Sequence, residues 1–219
     1  MIICHSKQVN FWKIPRTGST TVEAILRLMP GVLDYDAGDI VSTGHFFPTG
    51  HHNVPGTVPP SINGSHGNTR THLTPENAIQ FGCLTQAQYD SYDNYCIVRD
   101  PLARLVSAHI LGFSQAEWNV ADILEQRCKP NLQYAIFKPQ IEWLTLGNMN
   151  ILPFSDYENS VTTILTAFGC PIPVDIPQIT HRHPNWESRH MQHATATGLD
   201  RQLIEAPDSP YHEDSKLNH

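Results

Sequence analysis

One short run concentrates the groups that could hold an anion: Pro15-Arg16-Thr17-Gly18-Ser19-Thr20-Thr21. Lys7 to Lys13 before it reads as a strand. After it Val22, Ile25, Leu26 and Met29 line up on one apolar stripe, which predicts a helix starting at Thr20. A helix N-terminus offers unpaired N–H groups and the positive end of the helix dipole. Gly18 allows the main chain to come close to an oxyanion. Arg16 and the hydroxyls add donors, so the chemistry is that of a phosphate cradle. A nucleoside triphosphatase loop would need a leading glycine and a Gly-Lys-Ser/Thr ending, whereas here Ser19 follows Gly18. On its own the run is equally an ordinary glycine-containing turn.

A second run makes a similar offer. Tyr95 to Arg99 is short, apolar and β-prone, which predicts a buried strand. Asp100 then caps a helix with Pro101 at its first position. Arg99 falls at the strand end, the rim where open α/β sheets bind ligands. Ser107 lies on the helix leading away. An arginine and a nearby hydroxyl can share one phosphate.

In this order, the two runs resemble the signature of sulfotransferases that use 3′-phosphoadenosine-5′-phosphosulfate (PAPS). In that family the first turn holds the 5′-phosphosulfate, which implies a role for Pro15, Arg16, Thr17, Gly18, Ser19, Thr20 and Thr21. The second, strand–Arg-Asp/Asn-Pro-x-x-Arg-x-x-Ser, holds the 3′-phosphate; Arg99, Pro101, Arg104 and Ser107 match it. Arg16 stands where many members carry lysine. A guanidinium binds as a fork and gives up a proton less readily than an ammonium. Thr71-His72-Leu73-Thr74, Ser91-Tyr92-Asp93, Lys138-Pro139-Gln140, Phe154 to Glu158 and Tyr211-His212-Glu213-Asp214 look like the carbohydrate 2-O- and 4-O-sulfotransferases and their bacterial and phage relatives. The resemblance implies sulfuryl transfer from PAPS to a hydroxyl, on a glycan, with 3′-phosphoadenosine-5′-phosphate leaving and no metal.

Such a transfer needs a general base, a cation beside the leaving oxygen and a positioned acceptor. Arg16 is the cation. Histidine suits a base near neutral pH. His72, between a strand and the helix capped by Thr74, matches the family's base; His45 is second and Glu23 third. Glu23 is better explained by a capping box with Thr20. His109 sits on an apolar stripe and reads as a core residue. His51-His52, His181 with His183, and His190 with His193 lack the carboxylate or cysteine company of a standard zinc site. The resemblance makes His181 to Trp186 a cover over the adenine end.

These residues need a scaffold, and the rest of the chain predicts one. Further helices are expected after Thr74 and Thr85, near 119–127, 139–146 and 158–168, with a strand from Asn150 to Ser155. Strands alternating with helices predict an α/β, P-loop-like three-layer fold, its central sheet mostly parallel. One domain over 1–219 is expected, interrupted by a Gly/Pro/His-rich loop at about 48–69. Lys and Arg total 14 against 21 Asp and Glu, which disfavours a wide nucleic-acid-binding surface. No apolar run approaches the roughly 18 residues of a membrane span. The N-terminus lacks a signal-peptide pattern, so a cytoplasmic chain is expected. The five cysteines are spaced too widely for a disulfide framework and read as packed thiols. Two other functions compete: a P-loop-like nucleotide kinase, and a non-catalytic module binding glycan or nucleotide. The first lacks the loop lysine; intact Arg99 and Ser107 argue against the second.

Overall fold

The computed structural model describes residues 1–28, 40–42, 72–110, 136–173 and 201–217. His45, the 48–71 stretch, the helix expected near 119–127, and the histidines and cover between 181 and 193 lie outside the described residues, as does the side chain of His109.

Five strands form one sheet: β1 (Ile2–Cys4), β2 (Val9–Trp12), β3 (Ile40–Ser42), β4 (Asp93–Val98) and β5 (Asn150–Pro153), in the order β3-β1-β2-β4-β5. The half that matters for the site is parallel: β2 pairs with β4 and β4 with β5. On the other side β1 pairs antiparallel with β2 and with β3. Strand β1 was not expected from the sequence. Three apolar residues are too few to stand out, and its pairing with β2 comes from a tight turn at residues 5–8.

Successive strand residues face opposite sides of a sheet, and both faces here are covered. Ile2, Cys4, Val9, Phe11 and Ile97 point to one side. There they pack with Val22, Ile25 and Leu26 of α1 (Ser19–Leu28) and with Val161, Ile164 and Leu165 of α5 (Tyr157–Ala167). Ile3, Trp12, Cys96 and Val98 point to the other. They meet Ala78 of α2 (Pro75–Gln80), Tyr89 of α3 (Gln86–Ser91), and Trp143. The α/β three-layer expectation holds. Helix α4 (Pro101–Ile110) builds a third cluster, in which Leu105, Val106 and Ala108 meet Phe137, Ile204 and Tyr211. Ile204 belongs to the short helix α6 (Arg201–Glu205).

Local signals explain most boundaries. The Thr74 hydroxyl accepts from Asn77 N–H and Pro75 opens α2. Thr85 and Gln88 form a reciprocal capping box at α3. The Asp100 carboxylate accepts from Ala103 N–H at 2.8 Å. Two expectations need correcting. Residues 139–146 do not form a helix; a single 3-10 turn spans Gln140–Trp143. Helix α1 begins at Ser19, so Thr20 lies inside it, and Glu23 turns to Lys13 instead of completing a cap. The four described cysteines, Cys4, Cys83, Cys96 and Cys170, are buried, as expected of packed side chains. None of the described helices is long and apolar enough to cross a membrane.

Candidate active site

Because β2 and β4 are parallel neighbours, with Trp12 opposite Cys96, their C-terminal ends open on the same rim. The turn at Pro15–Gly18 follows β2 and Arg99 follows β4, so topology alone brings the two sequence runs together. Arg99 Nη1 donates to the carbonyl of Arg16 at 3.2 Å. The Arg16 guanidinium donates through Nε and Nη2 to Ser107 Oγ, at 3.2 and 2.9 Å. Ser107, accepting from a guanidinium, keeps its own hydroxyl hydrogen to give. Arg16 has φ of +67°, a left-handed conformation that an arginine adopts at a cost.

Burial and mutual repulsion shape this cluster. Burial, and then Arg104, push Arg16 down to about 10. Burial, and then Arg16, push Arg99 down to about 10 as well, with Asp100 opposing. Asp100 itself is drawn outward, 2.9 Å from Arg201. No described carboxylate pairs with Arg16. Both arginines stay charged at neutral pH, so folding has gathered positive charge where water is scarce. An anion entering there is attracted more strongly than it would be on an open surface.

Arg104 matches the sequence motif but serves the scaffold. It is fully buried and donates to the carbonyls of Ile136 and Lys138, at 3.0 and 2.6 Å. Arg99 is held by Gln140, which the sequence offered only as part of a family-like run, with no role assigned. The Gln140 side chain accepts from Arg99 N–H at 2.9 Å and donates to Arg99 C=O at 2.7 Å. Asp214 in turn accepts from the N–H groups of Gln140 and Ile141, at 2.7 and 2.9 Å. The Phe154 ring lies 4.5 Å from the Arg99 guanidinium, a cation–π contact.

Within the turn, side chains brace and main chain presents. The hydroxyls of Thr17 and Ser19 donate to Ile14 C=O, at 2.9 and 3.3 Å. Their hydrogens are therefore committed inside the loop, and what they offer an anion is backbone N–H. Pro15 is buried at the start of the turn, Thr20 is exposed and Thr21 half-buried. Gly18 has φ of +78°.

Beneath the turn lies an ion pair between Lys13 and Glu23, each 1% exposed. Sequence reading treated Lys13 only as the end of a strand. The available signal was Glu23, a carboxylate flanking the apolar stripe of α1. His72 sits beside this pair, its Nδ1 2.6 Å from the carbonyl of Lys13. A carbonyl only accepts, so Nδ1 carries the hydrogen and Nε2 is the basic nitrogen of the neutral ring. Trp143 Nε1 donates to Leu73 C=O at 3.1 Å and fixes the chain next to His72. Among the described residues, no three His, Cys, Asp or Glu side chains gather as a metal site.

A helix N-terminus, the half-buried Arg16, the buried Arg99 and a histidine thus meet at one rim of an α/β sheet. Compared with known families, the chain matches the Sulfotransferase family over residues 1–143 of its 219. It belongs to that family and is a sulfotransferase. Searches of curated proteins and of solved structures gave no match.

Proposed function

We propose that the chain transfers a sulfuryl group from PAPS to a hydroxyl of an acceptor, and that the acceptor is a glycan. The observation that carries the donor assignment is the convergence of Arg16, Arg99 and Ser107, contributed by two segments far apart in sequence, on one buried positive site. A nucleotide with phosphates at both its 5′ and 3′ ends suits that donor set. The loop N–H groups and Arg16 would hold the 5′ end; Arg99 and Ser107 would hold the 3′-phosphate. PAPS supplies the activated sulfuryl group. Arg16 supplies fixed charge beside the leaving oxygen, where a preorganised donor acts most strongly. His72, with its hydrogen on Nδ1 given to Lys13, presents Nε2 to take the acceptor proton. His45 remains the second candidate for that task. The glycan assignment rests on the resemblance of the later motifs.

Calorimetry with adenosine 3′,5′-bisphosphate and with adenosine 5′-phosphate tests the donor side. The bisphosphate should bind more tightly, and Arg99→Ala should weaken it by roughly ten- to a hundredfold, as expected for a charge-assisted contact. Equal affinity for the two nucleotides would end the assignment. Labelled PAPS with a panel of glycans tests the acceptor; transfer to none of them, alongside transfer to another hydroxyl compound, would replace the glycan.

A further inference from the structure

The turn's shape depends on a residue outside its own segment and outside the span matched to the family. Tyr157, the first residue of α5, donates its hydroxyl to the carbonyl of Gly18 at 2.7 Å, across 139 positions of sequence. The Tyr157 hydroxyl oxygen is itself met by the Thr21 side chain. Gly18 C=O also accepts from Thr21 N–H at 3.0 Å. The ring occupies the space a side chain at position 18 would need: a Cβ there would lie 2.4 Å from Cε2 and 2.7 Å from Oη. Gly18 is therefore glycine for two reasons, its φ of +78° and the ring against it.

The Gly18–Ser19 peptide is planar and trans, so its C=O and N–H point in opposite directions. Pinning the carbonyl to one side aims the Ser19 N–H to the other. Ser19 opens α1, so its N–H has no carbonyl one turn back and belongs to the anion-binding end of the helix. A glycine peptide without such a pin can rotate with little steric penalty, carrying that donor away from the anion.

We propose that Tyr157 is a positioning residue of the sulfotransferase site: its hydroxyl locks the Gly18–Ser19 peptide so that the loop presents the Ser19 N–H to the 5′-phosphate end of the donor. The inference rests on the reading that this loop holds the 5′ end, and the test separates the two. Wild type and Tyr157→Phe are titrated by calorimetry with adenosine 3′,5′-bisphosphate and with adenosine 3′-phosphate, which lacks the 5′ group. Thermal melting is followed in parallel. Wild type should prefer the bisphosphate. Tyr157→Phe should lose about tenfold for the bisphosphate, the scale of one well-aimed hydrogen bond to a charged group, while its affinity for the 3′-monophosphate stays within about twofold. Turnover should fall with the bisphosphate affinity. An unchanged bisphosphate affinity would overturn the proposal. Loss of both ligands together, or failure to fold, would make Tyr157 a residue of general stability and overturn it too. A wild type indifferent to the 5′-phosphate would instead refute the assignment of the loop.

Discussion

Replacing Glu23 by glutamine separates two explanations of that residue by a large margin. If Glu23 only completed a helix cap with Thr20, glutamine would serve nearly as well. In the structure Glu23 is the counter-ion of Lys13, and both side chains are 1% exposed. Glutamine keeps the shape and removes the charge, so Lys13 is left as a buried cation facing a neutral amide. Removing one partner of a buried pair typically costs about 3–5 kcal/mol, because the remaining charge has lost both water and counter-charge. At roughly 2–4 °C per kcal/mol for a chain of this size, the melting temperature should drop by about 6–20 °C. The deficit should depend on pH. Burial already lowers the Lys13 pKa, and Glu23 opposes that effect. In the variant the folded-state pKa falls further below the unfolded value. Between those two values the unfolded chain binds more protons than the folded one, so stability rises with pH. The deficit should therefore shrink as pH rises from 7 toward 10. Calorimetric melting across that range measures it, with the double variant Lys13→Met/Glu23→Leu as control. An apolar pair removes both charges and should recover much of the loss. A Glu23→Gln protein melting within about 2 °C of wild type at neutral pH, a shift worth less than about 1 kcal/mol, would refute the ion-pair reasoning.

The site makes two further predictions. Arg16→Ala should lower turnover by roughly 10²-fold or more, the usual scale for losing a key electrostatic donor, with Arg16→Lys keeping part of the activity; steady-state kinetics showing only a raised KM would reduce Arg16 to a binding group. His72→Ala should lose roughly 10²–10⁴-fold in rate while binding adenosine 3′,5′-bisphosphate almost normally, and wild-type rate should rise with pH to a plateau as the imidazole loses its proton. If His72→Ala turns over normally and His45→Ala does not, the base is His45.

What the sequence disclosed were the features set by neighbours in the chain. Thr85 with Gln88, Asp100 with Ala103, and the stripe at Val22, Ile25 and Leu26 obey local rules, and the structure reproduces them. Arg16, Arg99 and Ser107 were readable because each stands in a short run with its own chemistry. What stayed hidden depended on partners far along the chain. Lys13 looks like any strand-end lysine until Glu23 folds over it. Gln140 and Asp214 are common polar residues whose importance lies wholly in whom they meet. Tyr157 carries no local sign that its hydroxyl reaches Gly18. The capping reading of Glu23 failed for the same reason: the spacing from Thr20 was right, but a buried lysine outside the pattern competed for the carboxylate.

The bracing of Arg99 also ties the site to the far end of the chain. Its main chain is held by Gln140, 41 positions later, and Gln140 by Asp214, a further 74 positions on. Tyr211 adds a hydroxyl bond to the carbonyl of Phe137. The pairing of β2 with β4 includes none of these contacts. The sheet's own pairing thus does not draw on the C-terminal segment, whereas the hold on the Arg99 main chain does. A protease that clipped the chain between Cys170 and Asp214 and released the tail would leave a sheet that still looks folded by circular dichroism, yet grips nucleotide poorly.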